Sequence, residues 1–172
     1  MDVFIHPNVA LKQKADAVDP TADKGLTELC RSMAQTMYDA PGVGLAAPQV
    51  GVLKRVIVYD LEGEGRVIAL CNPEIVDMCE EVEVDDEGCL SLPGISVAVE
   101  RALSIVCEAQ TLKGASVRIE ADGFHARVLQ HEIDNLDGVL ILDRATPEER
   151  KAALQRYREA IAAGAKPGET SI

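Results

Sequence analysis

No stretch of this sequence is apolar for long enough to cross a membrane, which takes about 20 consecutive residues. No cluster of Lys and Arg stands out either. Acidic residues number 29 against 17 basic ones, a formal net charge of −12. A nucleic-acid binder would show a basic patch or stripe, so that class is excluded, and the charge disfavours a strongly anionic substrate. No two cysteines are spaced C-x-x-C, and their number, 5, is odd. A disulfide framework is therefore not expected. The start "MDVFIHPNVALKQKAD" lacks the basic and apolar regions of a secretion signal, so the cytoplasm is the expected compartment. Internal repeats and low-complexity tracts are absent as well.

What is present is enough for one core. The chain has 172 residues, 47% of them apolar, which fits a single domain. That domain is expected over residues 1–165, with 166–172 as a frayed tail. Leu26, Leu29, Met33 and Met37 recur at helical spacing within Asp19–Gly42, and Pro41-Gly42 ends that helix. Strands follow around Val56–Val58, through "RVIALCNPEIVD", along "EEVEVDDE", twice in "ISVAVERALSIVCEAQ", and in "SVRIEADG". "FHARVLQHEIDNLDG" reads as a helix closing at Gly138. A last helix opens with Thr146 at the N-cap, Pro147 at the first position and Glu149 three residues past the cap. Strands grouped together, not alternating with helices, predict an α+β fold. Its mostly antiparallel sheets would pack around the central helix carrying His131, Glu132 and Asn135, with one helix near each end of the chain.

Three segments could carry chemistry. In His131-Glu132-x-x-Asn135 the first and last residues project from one helical face. H-E-x-x-H uses that spacing to place two imidazoles on one metal, with the Glu beside the attacking water. Here the second imidazole is replaced by an amide. Taken alone, such a pair is more often a helix-surface or core feature than a site. The second segment, "EGCLSLPG", puts Cys89 at a strand edge followed by a turn, and thiolate is a strong ligand for zinc and iron. The other four cysteines read as small buried hydrophobes. The third, "APGVGLAAPQVG", is a Gly- and Pro-rich loop suited to close approach of another backbone, with Gln49 as its lone polar side chain. It lacks the G-K-[ST] of a phosphate loop. His125 falls on a different helical face from His131, and nothing in the sequence brings His6 to the same place.

Together "GVGLAAPQ", "EGCLS" and "QHEIDNLDG" resemble, in order and separation, the three motifs of the peptide deformylases. The opening "IHPNVALKQKADAVD" is similar to that family too, so the resemblance covers essentially the whole chain. It implies a hydrolase that removes the formyl group from N-formylmethionine of nascent polypeptides at the ribosome. It also implies one divalent ion, Fe²⁺ or Zn²⁺, held by one Cys and two His. Carried over, the ligands are Cys89 and His131, with Asn135 in the third place. Glu132 is the general acid/base, and Gln49 and the Leu90 N–H stabilise the oxyanion. Val43 and Gly44 lie beside the bound peptide. The third motif normally ends in His, so Asn135 predicts weakened or altered metal binding. Family members also often carry a basic residue near Ile95 or Ser96, and the nearest here is Arg101. A catalytically inactive relative that binds peptide N-termini stays open as the second reading, and a related amidase or a zinc protease as more distant ones.

Overall fold

The computed structural model describes residues 1–169. Part of the expected frayed tail, residues 170–172, lies outside the described residues. Four α-helices are present among the described residues: α1 (Leu26–Asp39), α2 (Gly123–Leu136), α3 (Ile141–Arg144) and α4 (Pro147–Ala162). Seven strands accompany them: β1 (Gly44–Ala46), β2 (Val56–Tyr59), β3 (Ile68–Met78), β4 (Val82–Glu87), β5 (Val97–Ala102), β6 (Ser104–Gln110) and β7 (Ser116–Asp122). They form a five-stranded sheet in the order β1-β2-β3-β6-β7 and a two-stranded ribbon, β4-β5. Every pairing is antiparallel. This is the α+β architecture expected from the strand grouping.

Helix α2 lies at the centre. From Ala126 to Leu136 every residue except Asp134 is buried. An amphipathic surface helix would alternate apolar and polar faces; α2 instead buries its polar residues, and each needs a partner inside the protein. Its apolar residues Ala126, Val128, Leu129, Ile133 and Leu136 pack with Ile57, Tyr59, Leu70, Ile105 and Cys107 of the larger sheet. Gln130 joins α2 to β5, accepting from Ala102 N–H and donating to Ala102 O.

Two satellite clusters fix the ends of the site. Met33 and Met37 of α1 are fully buried against Leu45, Val56 and Val58, so the helical stripe does face the core. Burial of each such side chain contributes about 1.5–3 kcal/mol. Leu92, Ile95, Val97 and Val99 pack with Leu140, Ile141 and Tyr157 on the other side of the ribbon. Thr146 caps α4 by accepting from Glu149 N–H at 3.2 Å, as its sequence predicted.

The local boundaries differ from the sequence reading in two places. Helix α1 begins at Leu26, with Gly25 at its N-cap, not near Asp19. Asp19 and Asp23 spend their side chains on local turns, accepting from Thr21 N–H and Gly25 N–H, which competes with helix. The Gly- and Pro-rich segment 40–51 is not simply a loop. It contains β1 and a 3-10 turn, Ala47–Val50. Gly51 closes that turn at φ +80, where a side chain would be strained and a Cβ would also strike the Phe4 ring.

Candidate active site

The three motif segments meet on one side of α2. Strand β1 stands at the edge of the larger sheet and pairs only with β2, Gly44 opposite Tyr59. The 3-10 turn after it brings in Gln49, which is buried. Gln49 Oε1 accepts from Ala46 N–H at 2.9 Å. Its Nε2 points at Cys89 Sγ, 3.6 Å away, and at Ser91 Oγ, 3.2 Å away. Cys89 sits just past β4 in a tight turn closed by Leu92 N–H donating to Cys89 O at 2.9 Å. The Gln49 amide thus joins the first segment to the second.

Helix α2 supplies the third. His131 is buried, with Nδ1 at 2.8 Å from Glu87 Oε1 and its other face towards Cys89. Burial works against a charged imidazole, but the hydrogen bonds to Cys89 and Glu87 outweigh it and hold the His131 pKa well above the usual histidine range. Glu132, one residue on, is pushed up to about 7, chiefly by burial, against the attraction of His131. Its carboxylate lies against β1 so closely that a Cβ on Gly44 would be 2.5 Å from Glu132 Oε1. Asn135 lies next to the Glu132 carboxylate and its amide works to lower the Glu132 pKa, but the buried Asn135 Nδ2 and Glu132 Oε2 are not placed for a well-formed hydrogen bond.

Behind His131 is a buried ion cluster. Glu87 has no exposed surface. It accepts a two-pronged contact from Arg101, Nε to Oε2 and Nη2 to Oε1, both at 2.9 Å. Arg127 Nη1 reaches the same Oε2 at 2.7 Å. Burial opposes the Glu87 charge, and His131 and Arg101 overcome it, bringing its pKa down to about 2. Arg101 also bonds Asp134, which Arg144 holds from outside.

Cys89 Sγ and the His131 ring nitrogen that faces it are donors of the kind that hold zinc or iron. Asn135 adds an amide, whose oxygen is neutral and hard. Among the described residues, no three His, Cys, Asp or Glu side chains gather as a metal site. The donor set therefore fits a divalent ion outright at two protein positions, and at a third only through the Asn135 amide oxygen. The two orphaned polar atoms beside it mark a pocket built for a polar occupant, since leaving such groups unpaired costs about 1–3 kcal/mol each.

The polypeptide deformylase family model matches residues 1–151. A peptide deformylase from Dictyoglomus thermophilum is 52% identical over 141 residues, covering 82% of this chain and 90% of the relative. One from Acidothermus cellulolyticus is 50% identical over 142 residues, 83% and 77% respectively. Among solved structures, a peptide deformylase from Legionella pneumophila superposes with a TM-score of 0.89 at 37% identity, covering 94% of this chain and 95% of that one. One from Synechococcus elongatus superposes at 0.87 and 40%, covering 95% and 90%. The chain belongs to the polypeptide deformylase family.

The residues singled out in the sequence come together: Gly44 against Glu132, Gln49 against Cys89, and Cys89 against His131. Val43 is half-buried at the start of β1, and its carbonyl accepts from Asp60 N–H. Leu90 follows Cys89 in the turn, its side chain packed over Gly42. His125 is apart from the site, 3.1 Å from the Tyr59 hydroxyl, and His6 packs on Tyr157. Arg101 is buried in the ion cluster and does not project toward a peptide. Sequence reading missed Glu87 and Arg127. Glu87 stands inside the quoted "EGCLS" segment, but it is one of a run of acids in "EVEVDDEG", and only the fold shows that it alone turns inward.

Proposed function

We propose that this protein hydrolyses the formamide of N-formylmethionine at the start of nascent polypeptides, with Cys89 and His131 holding a divalent ion, Fe²⁺ or Zn²⁺, and Asn135 its weaker third ligand. The observation that carries this reading is the convergence of Gln49, Cys89, His131 and Glu132 around one pocket beside an open strand edge. When bound, the ion supplies Lewis acidity to the formyl oxygen and makes a water acidic enough to attack near neutral pH.

The chain's own groups do the rest. Glu132, with a pKa of about 7, is poised to take the proton of the attacking water and return it to the leaving amine, because an acid/base group works best near the operating pH. Gln49 Nε2 and the Leu90 N–H donate to the oxygen that becomes negative, a contribution of about 3–4 kcal/mol per donor in comparable sites. Glu87 takes the Nδ1 side of His131 and leaves the other nitrogen for the ion. β1 is paired on one side only, so the backbone of Gly44 can pair with an extended peptide laid along the edge, with Val43 beside it. Residues 1–165 work as one domain in this reading. The substrate is met at the ribosome, in the cytoplasm. Among the described residues no helix is long and apolar enough to cross a membrane. Relatives that share about half their residues with this chain carry the enzyme's name, which disfavours a purely peptide-binding role.

The test is turnover of a formyl-Met tripeptide by the protein loaded anaerobically with Fe²⁺, with and without chelator. Chelator-sensitive release of formate is the expected result. No release from the loaded wild type, together with tight binding of the peptide, would favour the inactive reading.

A further inference from the structure

Arg127 is a cation buried between α2 and the β4-β5 ribbon, with 8% of its side chain exposed. Three groups hold it. Nη1 donates to Glu87 Oε2 at 2.7 Å and to Val99 O at 2.9 Å, and Nη2 donates to Glu83 O at 2.9 Å. The two carbonyls belong to different strands of the ribbon, so Arg127 straddles both. They are neutral and leave its charge directed at one carboxylate. Arg101 is different, because it divides its charge between Glu87 and Asp134.

Glu87 already has a two-pronged partner in Arg101. A second buried arginine is therefore more than neutralisation requires. Burying a cation costs several kcal/mol before its partners are counted, and well-packed apolar side chains of similar volume often hold two elements together at least as stably. A contact needed only to attach α2 to the ribbon would not call for a guanidinium. What the guanidinium adds is a second anchor from α2: it holds Glu87 Oε2, which Arg101 Nε also reaches, while Oε1 meets Arg101 Nη2 and His131 Nδ1. A histidine that ligates through one nitrogen is oriented by whatever the other nitrogen binds.

We propose that Arg127 is a positioning residue, which clamps the Glu87 side chain between α2 and the β4-β5 ribbon and so fixes the His131 ring with Nδ1 turned away from the pocket and the other nitrogen turned into it. The inference deepens the functional reading above and rests on it for the identity of the ion. The ring geometry itself can be read without any ion or substrate.

The experiment uses the full chain with Arg127→Met, Arg127→Gln and Arg127→Lys. The first readout is the downfield ring N–H resonance of His131 in the ion-free protein, visible only while a hydrogen bond to Glu87 protects it from exchange. Only 3 histidines need to be distinguished. Thermal unfolding of each variant is recorded alongside, and Co²⁺ affinity is the second readout. Wild type and Arg127→Lys are expected to show the protected proton. The neutral variants are expected to lose it and to bind Co²⁺ about 10- to 100-fold more weakly. A merely structural contact would lower the melting temperature of all three and leave the proton in place. Persistence of the protected proton in either folded neutral variant overturns the proposal. Where neither neutral variant folds, the exchange rate of the proton in Arg127→Lys decides: a rate above wild type supports the clamp, because lysine cannot straddle Glu87 and both carbonyls, and an unchanged rate overturns it. Failure of the wild type to release formate would sink the functional reading and leave the ring-proton result standing.

Discussion

Glu132 Oε2 and Asn135 Nδ2 lie three residues apart on α2, both buried and neither with a hydrogen-bond partner. Residues at that spacing are neighbours on the helix surface. In H-E-x-x-H the position of Asn135 carries an imidazole. The amide that replaces it offers an ion only a neutral oxygen, and its Nδ2 stands beside the Glu132 carboxylate without bonding Oε2. The site is otherwise assembled. Its weak point is one side chain.

Asn135→His is expected to raise the affinity for Zn²⁺ or Co²⁺ by at least about tenfold. Loss of a supporting group around a ligand already changes affinity about 10- to 100-fold, and a change of the ligand itself should do no less. Competition against a chelator of known affinity measures it, and the ion content of the purified proteins gives a second view. Equal affinities in the two proteins would show that position 135 takes no part in holding the ion.

Glu132→Gln is expected to lower turnover about 10²- to 10⁴-fold, the usual contribution of a positioned acid/base group. It should leave ion affinity within a few-fold, because Glu132 is not assigned as a ligand. The replacement keeps the shape of a side chain that is 1% exposed. A parallel loss of ion binding and turnover would instead make Glu132 a ligand in this protein.

Much of this was legible in the sequence. Of the predicted stripe, Leu26, Met33 and Met37 are buried and Leu29 is half-buried against the same cluster. Thr146 read as a helix cap and is one. The grouping of strands predicted the antiparallel sheets, because hairpin connections and alternating patterns are local signals. The site required more. Cys89 and His131 stand far apart in the chain, and only the three-motif resemblance brought them together before the fold did. Glu87 and Arg127 stayed hidden for a physical reason. Their environment comes from the packing of α2 on the β4-β5 ribbon, and no local pattern separates an inward carboxylate from the exposed Glu83 and Asp85 on the same strand. The start of α1 was misjudged because Asp19 and Asp23 form local turns that the apolar periodicity cannot see.

Gly44→Ala probes the contact between β1 and Glu132. A Cβ there would stand 2.5 Å from Oε1 and 2.9 Å from the carboxyl carbon of Glu132. The carboxylate must shift, since both partners are buried. Displacement of an acid/base group by about 1 Å costs roughly 10²-fold in rate. The expected result is a kcat lowered by about that factor, with ion affinity retained. Wild-type kcat in the alanine variant would mean that Glu132 can perform its task from another position.

Asp143 gives a pH dependence away from the site. It joins three segments: Lys12 near the N-terminus, the Leu140 N–H ahead of α3, and Arg150 of α4. Burial works against its charge, but these partners outweigh it and bring the pKa down to about 2. In the unfolded chain an aspartate titrates near 3.9, so between about pH 4 and pH 2 the unfolded state binds more protons than the folded one. The stabilisation is complete above about pH 4 and is lost as pH falls through the folded value. Urea unfolding of wild type and Asp143→Asn should show the wild type more stable at pH 7, with the gap closing as the pH approaches 2. Glu87 is also held near 2, but it titrates in both proteins and cancels in the difference. A gap that stays constant from pH 7 to pH 2 would show that Asp143 acts through the shape of its hydrogen bonds, which asparagine can partly copy, and not through its charge.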